Sequence, residues 1–339
     1  LSLAGLEAPS NMQGHNFLDV TKTHDWIYGA RDRVDEVFDC SRSVRNGRWL
    51  FIRNYHPHLG WNQPSVFSDL GEIRHEITNY PIKTGMRLNS GQTHYLSSQR
   101  APIEFYDCLV DPENLRNLAL QKLTKEQSNA LTSAQKSFKK LRRETHDTGC
   151  LPEGIMAGLV KKHGKPIADL VREGTIDLEP IWKVADSIGG DPLPAIKALT
   201  SPDPAQRFQT IIALRSAPSD KPHQSRLIPL LVDLNADVRI EAASWLAQFE
   251  PQPLDALAVL IKELENPNWA VALRACRALE LLGAEIAFEP MKKLYARTRD
   301  EKGDAALFLA FSSGAFLEGR GEKTEPWNFA PALKKKAKE

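Results

Sequence analysis

No run in this 339-residue chain approaches the roughly 20 apolar side chains that a membrane helix requires, so no part of it is expected to cross a bilayer as a helix. No surplus of one charge exists either. Lys+Arg number 44 against 43 for Asp+Glu, which removes the basic field that nucleic acid or an anionic membrane would need. The basic run Lys334, Lys335, Lys336 and Lys338 reads as a solvated tail. Cys40, Cys108, Cys150 and Cys276 form no C-x-x-C pair, which excludes a zinc ribbon or redox motif and favours buried free thiols. The opening Leu1-Ser2-Leu3-Ala4-Gly5 lacks a signal-peptide pattern. It reads as the end of a helix closed by a Gly cap, with its start upstream of Leu1.

What is present exceeds one ordinary core. Residues 1–20 read as a helix end and loop. From Trp26 to about Asp107 the signals are those of strands. Trp26-Ile27-Tyr28-Gly29-Ala30 is a short aromatic and β-branched run, and Ile103-Glu104-Phe105-Tyr106-Asp107 is another. Between them, Ser41–Arg45 and Arg48–Arg53 flank Asn46-Gly47, whose tolerance of positive φ predicts a hairpin. A small antiparallel sheet of this kind needs a second layer on its apolar face. Asp111-Pro112-Glu113-Asn114 predicts a helical turn. Thr124-Lys125-Glu126-Gln127 predicts a capping box, with Leu131, Ala134, Phe138 and Leu141 on one helical face and Gly149 as the stop. That helix is expected to cover the sheet.

Beyond Pro152 the periodicity is helical, and it repeats. Arg207–Leu214, Arg239–Leu246 and Ala272–Leu279 align, their closing leucines 32 and then 33 residues apart (246−214, 279−246). A turn precedes each, at Ser201-Pro202-Asp203-Pro204, Asn235-Ala236-Asp237 and Asn266-Pro267-Asn268. Further apolar helices at Leu227–Leu231 and Leu257–Ile261 complete helix pairs that resemble HEAT repeats, which build a core by stacking. Residues 154–190 predict a further, degenerate pair.

Several segments of the front third resemble the C-terminal subdomain of sulfatases, nearest the heparan N-sulfatase-like branch. They are Leu1–Pro9 with Met12–Leu18, Arg31–Glu36, Arg42–Trp49 with Arg53–Pro57, Glu104–Asp107, Asp111–Ala119 and Glu144–Gly149, in order over residues 1 to about 152. The resemblance implies a hydrolase of sulfate esters or sulfamates, exported to the periplasm or cell exterior. Its nucleophile would be formylglycine, matured from the cysteine of a C-x-P-S-R motif, beside a calcium ion held by Asp/Asn oxygens. None of the four cysteines here is followed by x-Pro-Ser-Arg. Nucleophile and calcium ligands are therefore expected in a catalytic domain preceding Leu1, and neither a catalytic nor a metal residue is assigned within this chain.

The dense charge of Arg31, Asp32, Arg33, Asp35 and Glu36 falls in a loop that the resemblance places beside the substrate pocket, where guanidinium forks would suit a sulfated uronate sugar. The plainer expectation is a solvated loop with internal ion pairs. His56 and Trp61 are candidates for sugar contact. His56 and His58, two apart, would point to opposite sides of a strand, a poor chelating geometry. Trp245 and Trp269 read as packing residues. Arg239, Arg274 and Arg277 on a concave repeat face would suit an acidic protein partner.

The expected architecture is α+β followed by all-α. A remnant of the catalytic domain occupies 1–20, the sheet-containing sulfatase C-terminal subdomain 21–150, a HEAT-like α-solenoid 151–312 and a tail 313–339. Calcium, formylglycine and a sulfated saccharide belong to the complete enzyme. The rival reading is a non-catalytic HEAT-repeat scaffold that binds protein.

Overall fold

The computed structural model describes residues 1–324 apart from 8, 10, 11, 13, 15, 17, 20, 22, 23, 70, 71, 218–222 and 250–252. The lysine-rich tail and much of the Met12–Leu18 segment lie outside the described residues. At the start, a short 3-10 turn Ser2–Ala4 ends on Gly5 in the left-handed region (φ 68°), as the Gly-cap reading predicts.

Two compact units are present, and each is discontinuous in sequence. The first comprises Leu1–Arg31, Ser41–Asn54 and Ile103–Thr148; the second comprises Asp32–Cys40, Tyr55–Pro102 and Gly149–Glu339.

The first unit is an antiparallel meander of β1 (Ile27–Arg31), β2 (Ser41–Arg45), β3 (Trp49–Asn54) and β4 (Ile103–Asp107), in that order. The hairpin forms where Asn46-Gly47 predicts it, but by a different device. Neither Asn46 nor Gly47 has positive φ. Instead the Asn46 carboxamide accepts hydrogen bonds from the Arg48 N–H (2.9 Å) and Trp49 N–H (2.7 Å), holding the turn with a side chain in place of a left-handed backbone.

Helix α1 (Lys125–Glu144) carries the predicted capping box of Thr124 and Gln127. It lays Phe138 against Tyr28 (5.9 Å between ring centroids) and Phe51 (5.4 Å), covering the sheet. Its end differs from expectation. His146, at φ 50°, takes the left-handed position, and the Asp147 N–H reaches back to the Arg142 carbonyl, so Gly149 is not needed to stop the helix. Asp111–Asn114 makes one turn without a continuing helix. Asp111 instead accepts from the Arg116 N–H, and the helical element there is a 3-10 turn, Leu118–Leu120, capped by Asn117.

That helix end positions a buried charge. Arg42 on β2, 1% exposed, donates Nε to Asp147 Oδ2 at 2.5 Å and Nη2 to Asp147 Oδ1 at 2.9 Å. Tyr28 donates to the same carboxylate at 2.5 Å. Arg48 beside the hairpin turn forks onto Asp107 at the end of β4 (2.7 Å).

The second unit is helical throughout, apart from the Val34–Val37 bridge, among its described residues. Helices Glu153–His163, Ile167–Arg172 and Glu179–Ala185 precede α2 (Pro204–Arg215), α3 (Ala236–Leu246), α4 (Leu254–Glu263), α5 (Trp269–Leu282), α6 (Phe288–Thr298) and α7 (Asp304–Glu318). The three turn sequences supply N-caps: Asp203, Asn235 and Asn268 accept from backbone N–H groups of α2, α3 and α5. Arg207 and Arg239, 32 residues apart like the repeat, do the same work. Each donates Nη1 to carbonyls of its own turn and its other nitrogens to a carboxylate of the next repeat, Asp233 at 2.7 Å and Glu263 at 2.9 Å. Ala272 stands at the third position, so the ladder ends there. Small residues allow close packing, with Ala242, Ala243, Ala272 and Ala275 all buried. All four cysteines are buried free thiols.

Replacing Asp147 with Asn would leave the Arg42 guanidinium buried without a countercharge. The expected cost is about 3–5 kcal/mol in urea unfolding, against about 1 kcal/mol for Tyr28→Phe. Equal, small losses for both variants would show that the ion pair does not hold the sheet to the helix end.

Candidate functional site

The loop that leaves β3 begins Tyr55-His56-Pro57-His58. Strand structure stops at Asn54, and Pro57 has no N–H for a ladder. The expectation that His56 and His58 point to opposite sides of a strand therefore fails. Both rings, 5.7 Å apart between centroids, line one cavity of the second unit, of about 700 Å³. Its other walls come from Gln63 and Pro64 of the same loop, residues 96–98, the end of α2 (Arg215), α3 (Ile240, Glu241, Ser244) and α5 (Arg274, Arg277, Ala278). Gly60 is required where the loop meets residue 97, because a Cβ there would collide with the Ser97 carbonyl.

The cavity wall is rich in arginine, and each guanidinium has a carboxylate partner: Arg74 pairs with Asp69, Arg215 with Glu241, Arg274 with Asp237 and Arg277 with Glu280. Arg74, Arg215, Arg274 and Arg277 line it against one carboxylate, Glu241. Glu241 lies 3.4 Å from Arg215 and 3.7 Å from Arg274. Arg274 also approaches Asp237 (3.5 Å) and stands over the rings of Phe38 and Phe208. Arg277 pairs with Glu280 (2.6 Å) and donates to the Pro64 carbonyl. Burial pulls Arg215 below the usual arginine range, and Glu241 offsets this in part. Burial and then the positive charges of Arg274, Arg100 and Arg215 push His56 down to about 3, against a weaker opposing pull from Asp39. His58 is lowered well below its usual range by burial, then by Arg215. Both imidazoles are neutral at neutral pH.

Five polar atoms of residues around this cavity, His56 Nδ1, His58 Nδ1, Asn62 Oδ1, Gln63 Oε1 and Arg277 Nε, are fully buried, present no surface to it and lack a hydrogen-bond partner. An unpaired buried polar atom costs roughly 1–3 kcal/mol, so a group of them on one wall is a feature to be explained.

The other predicted site residues are distributed as follows. Arg31 ends β1 and is exposed, as is Asp32. Arg33 is held within the second unit: its Nε donates to both oxygens of Glu153 (2.8 and 3.0 Å), and its guanidinium stands 5.1 Å from Trp269 and 5.3 Å from Phe308. Asp35 takes the left-handed backbone (φ 51°) of the tight Val34–Val37 turn. Glu36 is buried, accepts from the Val66 N–H at 2.7 Å, and is pushed above the usual carboxylate range by burial. Trp61 stacks on Arg100 (4.5 Å), whose guanidinium is buried against Asp39 (2.6 Å). Of the predicted site residues, His56 lines the cavity.

Arg215, Arg274, Arg277 and Gln63 were not predicted to converge, since no spacing links 63, 215 and 274. The expectation that Arg239, Arg274 and Arg277 present a concave face to an acidic partner meets a different geometry. Arg277 is buried, Arg239 and Arg274 are largely covered, and all three pair internally, because each supplies the countercharge that a buried Glu or Asp of a neighbouring turn needs. Among the described residues, no group of three or more His, Cys, Asp or Glu is placed to hold a metal ion.

The lowered histidines carry a sign for stability. With a folded value near 3 against about 6.5 unfolded, His56 contributes stability that is fully present above about pH 6.5 and lost as pH falls toward 3. Urea unfolding at neutral pH and at about pH 5 is expected to show a drop that His56→Gln reduces by up to about 2 kcal/mol, at about 1.4 kcal/mol per pH unit below 6.5. An identical drop in wild type and variant would mean that His56 is charged in the folded chain.

Comparison with known proteins adds two findings. The HEAT-repeat family model matches residues 225–310, which hold α3 to α6 and the first half of α7. An ulvan-active sulfatase of Formosa agariphila is 31% identical over 155 residues, 45% of this chain and 25% of that protein. The chain thus spans about a quarter of the curated relative it matches. The chain joins a sulfatase-like part to HEAT repeats.

Proposed function

We propose that this chain is the C-terminal part of a sulfatase-family hydrolase, in which it supports a catalytic domain that cleaves sulfuric ester or sulfamate groups of a saccharide. The observation that carries the reading is the likeness to the ulvan-active sulfatase, together with the way the resembling segments pair with one another. Arg42 of one meets Asp147 of another, and Arg48 meets Asp107. A relative active on ulvan makes a sulfated polysaccharide the natural substrate class, and export the natural location.

The residues present do not fit the family's reacting groups. Cys40, Cys108, Cys150 and Cys276 stand outside any C-x-P-S-R motif and are buried. Burial raises the Cys108 thiol and pushes Cys276 up to about 12, so neither is a thiolate at neutral pH. Among the described residues, no group of three or more His, Cys, Asp or Glu side chains is placed to hold calcium. Formylglycine and calcium therefore belong, in this reading, to sequence preceding Leu1, and no chemical step is assigned to this chain.

A second reading, a surface on the repeats for a protein partner, is favoured by the exposed apolar side chains Ile228, Val232 and Leu234. In a longer polypeptide carrying the upstream sequence, amide exchange over 228–234 is expected to slow relative to the 339-residue chain. Unchanged exchange would count against this surface.

The primary reading is tested by activity. The 339-residue chain is expected to give no turnover of an aryl sulfate, while the polypeptide extended upstream hydrolyses it in a calcium-dependent way. Turnover by the 339-residue chain, or an upstream sequence without a C-x-P-S-R motif, would overturn it.

A further inference from the structure

The loop wall of the cavity is tied to α5 through a buried cluster in which carboxylates outnumber cations. The tight turn Val34–Val37 places Glu36 inside the second unit, 0% exposed. The charged groups facing it belong to α5, Arg277 and Glu280. Arg277 is already paired with Glu280 at 2.6 Å, and Glu280 accepts a further hydrogen bond from Ser312 of α7 at 2.7 Å. The segment after β3 contributes backbone groups: the Pro64 carbonyl accepts from Arg277, and the Val66 N–H donates to Glu36 Oε1 at 2.7 Å. Two carboxylates thus share one guanidinium, and Glu36 is the one left over. Its second oxygen, Oε2, is buried without a partner. A carboxylate ionised in such a place lacks a countercharge of its own, so the neutral carboxyl is favoured. Burial, the largest cause, raises Glu36 above the usual carboxylate range, and the Glu280 charge adds to the rise. The Val66 hydrogen bond and the Arg277 charge oppose it.

We propose that Glu36 keeps its proton in the folded chain at a pH where an ordinary carboxyl has lost it, and that giving this proton to solvent as pH rises releases residues 63–66, the loop wall of the cavity, from α5. Three hydrogen bonds hold that wall. Gln63 donates to the Phe38 carbonyl at 3.0 Å, Val66 donates to Glu36, and Arg277 donates to Pro64. The first two run to the turn that carries Glu36 and the residues just after it. An ionised Glu36 is stabilised by reaching water, and the turn then takes its hold on Val66 and Gln63 with it. Gln63 and Pro64 line the cavity, so their release opens it on that side. A carboxyl raised in the folded chain contributes stability that is fully present below its ordinary value of 4.5 and lost as the pH rises through the folded value. The device requires neither upstream sequence nor turnover, so it holds or falls separately from the sulfatase reading.

Infrared spectra of the 339-residue chain test the proton directly. At about pH 5.5 an ordinary carboxyl is roughly nine-tenths ionised, yet a protonated-carboxyl stretch that Glu36→Gln removes is expected there. Glu280→Gln frees Arg277 to take Glu36 instead, and is expected to abolish the same stretch at that pH. In urea unfolding, the folding equilibrium constant of wild type relative to Glu36→Gln is expected to fall, by up to about tenfold per pH unit, between about pH 5 and the folded value. Amide exchange tests the release. The Val66 N–H, corrected for the intrinsic rate at each pH, is expected to lose at least about tenfold in protection between about pH 5.5 and about pH 8 in wild type and to keep it in Glu36→Gln. Circular dichroism establishes that each variant is folded.

A spectrum at about pH 5.5 with no stretch belonging to Glu36 would overturn the proposal. So would a stability ratio that stays level with pH, or one that rises, which would mean an ionised Glu36 paired with Arg277. Val66 protection that holds or grows as Glu36 ionises would overturn the release, because a carboxylate that stays in place accepts that hydrogen bond more strongly. If Glu36→Gln does not fold, Glu280→Gln decides: loss of the stretch upholds the proton on Glu36, and an unchanged stretch overturns it.

Discussion

A guanidinium keeps its proton at any pH a protein experiences, so each arginine taken out of water must bring a carboxylate with it or leave a charge uncompensated. That constraint recurs in both units. Arg42 is matched by Asp147, Arg100 by Asp39, Arg207 by Asp233, Arg239 by Glu263 and Arg277 by Glu280. A buried pair of this kind adds little net stability over an apolar pair of equal shape, but losing one partner is costly. What the pairs supply is selection among alternatives: Arg42 reaches Asp147 only if α1 ends where it does and β2 has its register.

This explains why the segments that resemble sulfatases are short and scattered. Arg42, Asn46 and Arg48 lie in one, Asp107 in a second and Asp147 in a third, and each is a residue whose partner belongs to another or whose side chain closes a turn. The sheet was legible because alternation, a turn residue and a capping box are local signals, and α1 was legible for the same reason. The left-handed His146 was not, because Gly149 offers the more usual stop and the Arg42–Asp147 pair that follows this helix end joins residues far apart in sequence.

In the repeats, legibility came from redundancy. One Asp or Asn before an apolar run is weak; the same device at Asp203, Asn235 and Asn268, with a period near 32, is strong. The periodicity told which side chains face inward but not that Arg239, Arg274 and Arg277 do so with their charges. Charge on a helix is read as solvent-facing by default, and that default fails where a carboxylate of the neighbouring turn waits for it. Reading the arginines together with Asp237, Glu241 and Glu263 would have shown the pairing, since each carboxylate falls among residues of the helix core.

The cavity was the least legible feature, and the reason is general. Its wall joins a loop after β3 to three helices up to about 220 residues away (277−56 = 221), with no period or spacing relating them. The single local clue is two histidines flanking Pro57. In a strand they diverge; in a turn that follows the end of the strand at Asn54 they converge. Once they converge among arginines, burial and positive charge strip them of their protons.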